Sequence, residues 1–116
     1  PGRVVLVDAG DLLQGTPLTY VAAQVAPEMP HPVPAAMNAM GYDAAAIGNH
    51  EFNYGVPTFD RAAAQARFPF LAANVRRLDG SRAYRAWTMV ERAGAKVAIV
   101  GGTTPGSMVW DRDHLK

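Results

Sequence analysis

The run Gly48-Asn49-His50-Glu51-Phe52-Asn53-Tyr54-Gly55 sets an amide, an imidazole and a carboxylate side by side between glycines. Such a run adds little to packing, but it can hold a metal ion and a phosphate. It follows the apolar stretch Asp43-Ala44-Ala45-Ala46-Ile47, which places it on the loop leaving a strand. A second polar loop, Asp8-Ala9-Gly10-Asp11, leaves the apolar run Val4-Val5-Leu6-Val7. Hard oxygen donors on two strand-end loops suit metal-assisted phosphoryl chemistry.

Each candidate has a competing role. The two oxygens of Asp11 can each bind one ion, and two divalent ions about 3.5–4 Å apart clamp the attacking and leaving oxygens of a phosphoryl displacement. Asp8 and Asp11 are equally common types for turns and caps, where a carboxylate satisfies backbone donors. Asn49 offers a neutral carbonyl ligand for a hard or borderline metal, or an Asx-turn beside Gly48. The imidazole of His50 suits metal binding and also proton donation to a departing alkoxide. Glu51 is read as structural, accepting from nearby backbone. Together the eight residues are far more specific than any one of them.

Gly10-Asp11 and Gly48-Asn49-His50-Glu51 resemble two motifs of the calcineurin-like metallophosphoesterases. The stretch Asp8-Ala9-Gly10-Asp11-Leu12-Leu13-Gln14-Gly15-Thr16-Pro17-Leu18 and the approach Met37-Asn38-Ala39-Met40-Gly41-Tyr42-Asp43 resemble the 5′-nucleotidase superfamily. Glu51-Phe52-Asn53-Tyr54-Gly55, His31-Pro32 and Met108-Val109-Trp110-Asp111 resemble its bacterial 2′,3′-cyclic-nucleotide 2′-phosphodiesterase/3′-nucleotidase branch. The resemblance implies an α/β/β/α sandwich, present here in part, and two divalent ions (Mn, Zn, Co, Fe or Mg). Asp11 would bridge the ions, Asn49 would bind one of them, and His50 would be catalytic, contacting the phosphate or protonating the leaving group. A hydroxide on the metal would be the nucleophile, and a nucleotide or cyclic nucleotide the substrate. A 5′-nucleotidase or UDP-sugar hydrolase of the same superfamily, or a binding module that keeps the fold without the chemistry, are the alternatives. True 5′-nucleotidases tend to carry Asp at the position of Asn53, and an amide does not raise the basicity of an imidazole in the same way.

The family pattern also has an Asp-x-His before the Asp11 loop, then a downstream His and a Gly-His-x-His. Neither Asp-x-His nor Gly-His-x-His occurs here, and the remaining histidines, His31 and His114, fit neither context. Residues 1–116 are therefore expected to be an internal fragment of a catalytic domain, inactive alone, from a periplasmic or extracellular parent. His31, between prolines, is read as structural or exposed, and Asp111-Arg112-Asp113-His114 as a solvated face.

Length and composition agree with one folded unit or part of one: 116 residues, 49% hydrophobic, net charge +1 and no cysteine. Disulfides and thiolate metal sites are excluded, and no basic face suggests a nucleic acid polymer. No stretch is long and apolar enough to span a membrane. The sequence assigns no oligomeric state.

The pattern predicts strands at 4–7, 43–47, 68–75, 84–91 and 96–100, and helices at 18–26, 33–40 and 56–67. Those at 4–7 and 96–100 are expected to be buried. Gly41 should end the second helix, and the four prolines from Pro27 to Pro34 exclude regular helix there. Alternating strands and helices with a late antiparallel pair predict an α/β fold with a mixed sheet. Val97 to Gly106 invites a dinucleotide-loop reading, but Pro105-Gly106-Ser107 makes a poor start for the helix such a loop requires.

Overall fold

The computed structural model describes residues 2–115. Three short parallel strands form its centre: β1 (Val7–Asp8), β2 (Ala44–Ala46) and β3 (Phe70–Leu71), in that order across the sheet. Val7 pairs with Ala44, Ala45 with Phe70, and Ala46 with Leu71. Helix α1 (Pro17–Tyr20), a π-helical turn (Val21–Val25) and α2 (Pro32–Met40) cross from β1 to β2, and α3 (Val56–Ala63) crosses from β2 to β3. The chain continues into an antiparallel hairpin, β4 (Trp87–Arg92) and β5 (Ala95–Val100), and a short helix, α4 (Ser107–Trp110). Parallel and antiparallel pairings coexist, as the α/β reading requires.

The hairpin is joined to the sheet in two places. Ala73 N–H donates to the Gly101 carbonyl at 2.9 Å and Ala72 N–H to the Arg85 carbonyl at 2.9 Å, next to a parallel bridge between Leu71 and Arg85. At the far edge Arg92 forms an ion pair with Asp43 and donates to the Val4 carbonyl at 2.9 Å, while Asp43 accepts from Leu6 N–H at 3.0 Å. The loop after β5 closes on β2, where the buried Thr103 hydroxyl donates to the Ile47 carbonyl at 2.6 Å. Because β5 runs antiparallel to its neighbour and α4 is four residues long, the dinucleotide-loop reading falls.

Several expected elements are shorter or more exposed than the pattern suggests. Val4 is 64% exposed and lies outside β1, which is an edge strand among the described residues and has only one neighbour. The predicted buried strand at 96–100 is half-exposed, because the hairpin turns only one face inward. Helix α3 stops at Ala63 rather than Arg67 because Asn38 of α2 caps that end: its side-chain amide donates to the Gln65 carbonyl at 2.8 Å and accepts from Arg67 N–H at 2.7 Å. Pro32 and Pro34 do enter α2, in its first turn, where backbone N–H groups have no intrahelical partner to lose. Gly41 ends α2 in the left-handed conformation, at φ 75°.

The core beneath the sheet is aromatic. Phe59 is fully buried, with its ring centroid 5.3 Å from those of both Phe70 and Tyr84 in edge-on contacts, and Phe52 packs on it at 5.8 Å. Phe52 thus anchors the short 3₁₀ turn His50–Phe52 that follows β2.

One carboxylate joins the two polar loops. Glu51 is 1% exposed. It accepts from the N–H groups of Asp11 (2.7 Å), Leu12 (2.6 Å), Leu13 (3.3 Å) and Gly48 (2.6 Å). Hydrogen bonds to a charged group contribute about 1.5–3 kcal/mol each and do not simply add. Replacing Glu51 by Gln keeps the shape but turns one acceptor into an NH₂ that faces N–H donors. A loss of about 2–4 kcal/mol is expected in urea unfolding followed by circular dichroism; a loss below about 1 kcal/mol would contradict the clamp.

His31 is buried at the N-cap of α2, where Nδ1 accepts from Val33 N–H at 3.3 Å and its own N–H donates to Gln65 at 2.8 Å. Burial, and secondarily the charge of Arg61, hold the imidazole below its usual value of 6.5. The folded ring takes up a proton less readily than the unfolded one. Its stability contribution is therefore complete above pH 6.5 and is lost as the pH falls through the lower folded value. His31→Asn keeps a capping oxygen without a titrating ring. Between about pH 7 and 5 it should lose less stability than the wild type in urea unfolding; equal losses would contradict the assignment.

Candidate active site

Asp11 and Asn49 lie on the loops that leave neighbouring parallel strands, and the two loops touch. Asp11 follows Gly10 and has φ 67°, the left-handed region that Asp tolerates better than most residues. Its N–H is held by Glu51, and its Oδ1 accepts from the backbone N–H of His50 at 3.0 Å, across 39 residues of sequence. Close approach of the loops requires glycine on both sides. A Cβ on Gly10 would lie 2.5 Å from Gly48 N, and one on Gly48 would collide with Asp11 Oδ1.

Asp8 and Asp11 both accept from backbone N–H groups. Asp8 is the turn former, accepting from Gly10 N–H at 2.8 Å. Asn49 opens the 3₁₀ turn, but its side chain makes no cap hydrogen bond, so its half-buried amide is not spent on an Asx-turn. His50 is exposed, and Nδ1 lies 2.5 Å from Asn53 Oδ1. Asn53 Nδ2 in turn donates to Asp111 Oδ1, also at 2.5 Å.

Asp111 is the residue that the sequence reading missed. It was expected on a solvated face, and Arg112, Asp113 and His114 are indeed exposed, but Asp111 is 3% exposed at the end of α4. Its partner Asn53 lies 58 residues away, so no local spacing signals the pairing. Beside Asn53 opens a cavity of about 570 Å³ lined by Tyr20, Gln24, Tyr54, Pro57 and His114. Trp110 is exposed and belongs to no core.

Among the described residues no three His, Asp or Glu side chains converge as a metal site. Asp11 and Asn49 offer oxygen donors and His50 a ring nitrogen, a set that fits hard or borderline divalent ions as part of a shell. Among the described residues no helix is long and apolar enough to cross a membrane.

The chain is similar along almost its whole length to known phosphoesterases. It is 40% identical over 124 aligned positions to a 2′,3′-cyclic-nucleotide 2′-phosphodiesterase/3′-nucleotidase of Yersinia enterocolitica, covering 96% of this chain and 19% of that protein. It is 36% identical over 129 positions to the trifunctional nucleotide phosphoesterase YfkN of Bacillus subtilis, covering 98% of this chain and 9% of that protein. It thus spans less than a fifth of either relative. The crystal structure of the calcineurin-like phosphoesterase YfkN from Bacillus subtilis superimposes with a TM-score of 0.85 at 35% identity, covering 97% of this chain and 38% of that one. No family model matches the chain. The chain belongs to the calcineurin-like phosphoesterases, with relatives named as cyclic-nucleotide phosphodiesterase/3′-nucleotidases and 5′-nucleotidases.

Proposed function

We propose that this chain is an internal part of the catalytic domain of a metal-dependent nucleotide phosphoesterase. The parent would hydrolyse 2′,3′-cyclic nucleotides and 3′-nucleotides outside the cytoplasm, in nucleotide catabolism. The observation that carries the reading is the hydrogen bond from His50 N–H to Asp11 Oδ1, which draws the Asp11 carboxylate against the Asn49–His50 turn. The names of the relatives supply the substrate class.

Asp11 and Asn49 would hold one side of a two-ion site, and the remaining ligands would come from sequence outside this chain. When bound, two divalent ions supply positive charge and an acidified water to a phosphoryl displacement. Asp11 keeps Oδ1 on the His50 amide, which fixes how its carboxylate is turned. His50, on the same turn, presents its ring to solvent, where a phosphate oxygen or the departing alkoxide could be met. An exposed imidazole with one ring nitrogen anchored is suited to donating a proton there. The cavity beside Asn53 falls within the usual size of small-ligand sites, and it offers the aromatic rings of Tyr20 and Tyr54 to a nucleoside leaving group.

The test is hydrolysis of 2′,3′-cyclic AMP, 3′-AMP and 5′-AMP by the full-length protein with Mn²⁺, beside Asp11→Asn. The first two substrates should turn over. Asp11→Asn should lower kcat/KM more than about 100-fold, which is the upper range for losing a mere supporting partner of a metal ligand. The 116-residue chain alone should show no turnover. Preference for 5′-AMP would assign the 5′-nucleotidase activity instead, and full turnover by Asp11→Asn would overturn the site.

A further inference from the structure

The contacts of Asn53 settle the orientation of its amide. A carboxylate oxygen accepts and does not donate, so Asp111 Oδ1 selects the NH₂ end of Asn53. The carbonyl end, Oδ1, is thereby turned to His50 Nδ1 at 2.5 Å. A carbonyl oxygen also only accepts, so Nδ1 must be the donor. In the neutral ring Nε2 is then left without a proton, carrying a lone pair on a side chain that is exposed.

From this order we infer that Asp111 is a positioning residue which, through Asn53, fixes His50 as the Nδ1–H tautomer with a free Nε2. The hydrogen-bond order stands on geometry alone; its use in catalysis rests on the phosphoesterase reading above. Asp111 is built for little else. Its backbone N–H is spent on the Ser107 carbonyl at 2.9 Å, and its second oxygen, Oδ2, is buried without a hydrogen bond, as is Ser107 Oγ one turn earlier. A buried carboxylate with so few donors costs stability, which packing alone does not explain.

The arrangement answers the question raised by Asn at position 53. The carboxylate has moved one link outward, and the amide between carries its orienting effect but not its charge. If Nε2–H of a protonated ring gives its proton to a leaving alkoxide, the bond from Nε2 to hydrogen breaks and the alkoxide becomes an alcohol. The neutral ring that remains is the Nδ1–H form which Asn53 and Asp111 already stabilise.

The inference is tested by ¹⁵N spectra of the full-length protein carrying ¹⁵N-labelled histidine, recorded over a pH series that reaches the neutral-ring limit. His50→Gln assigns the His50 signals. Protonated and unprotonated ring nitrogens resonate far apart, so the tautomer is read directly. The wild type should show Nδ1 protonated. In Asp111→Asn two amides face each other and either polarity can form, so both tautomers should appear. The double substitution Asn53→Asp with Asp111→Asn restores a carboxylate acceptor beside Nδ1, held by a donor behind it, and should return the single Nδ1–H form. In steady-state assays kcat should fall about 10-fold in Asp111→Asn at unchanged KM and recover in the double variant. A wild-type ring protonated at Nε2, or an Asp111→Asn spectrum identical to wild type, would overturn the inference even if the enzyme is active. An Nδ1–H ring that responds to Asp111 in a protein without turnover would support the inference and overturn the phosphoesterase reading alone.

Discussion

A single buried carboxylate makes the two chemical loops into one object. Glu51 points into the protein from the loop after β2 and collects three consecutive N–H groups from the loop after β1, together with Gly48 N–H from its own loop. Without it the buried Leu13 N–H would have nothing to accept from it, at a cost of about 1–3 kcal/mol, and the three part-buried donors would lose their shared acceptor. The parallel register of β1 and β2 sets the loops side by side, and Gly10 and Gly48 let their backbones touch. Glu51 holds the Asp11 N–H, while the Asp11 carboxylate accepts from the His50 amide.

The division of labour among neighbours follows from where each side chain points. Glu51 and Phe52 face inward, one to backbone donors and one to the ring of Phe59, while Asn49 is half-buried and His50 exposed. The inward residues tie the three-residue turn to the core and to the backbone of the neighbouring loop. Asp111 adds a third point of support from α4, and the hydrogen bond from Thr103 to Ile47 seats the preceding loop on the end of β2.

How far the sequence reveals this depends on the range of the interaction that decides each feature. The place of the eight-residue run after a strand, Gly41 as a helix stop and the structural role of Glu51 were legible because type, spacing and flanking residues are local. The edge exposure of Val4 was not, since Val4 to Val7 reads the same whether one neighbour or two cover it. The end of α3 was set by Asn38 on another helix, and the prolines of α2 by a first turn that does not need their N–H groups. Asp111 looked like one charge in a hydrophilic run because its partner is 58 residues distant. The fold class and family were readable from motifs; the support beneath His50 required three-dimensional contact.

The most direct test of this account is native-state amide hydrogen exchange at Asp11, Leu12, Leu13 and Gly48. If Glu51 clamps both loops, these four amides are protected together in the wild type and lose protection together in Glu51→Gln, while core amides such as those of Ile47 and Ala72 remain slow. Independent exchange at the four positions, or protection that survives Glu51→Gln, would show that the loops are held by something else and would contradict the account.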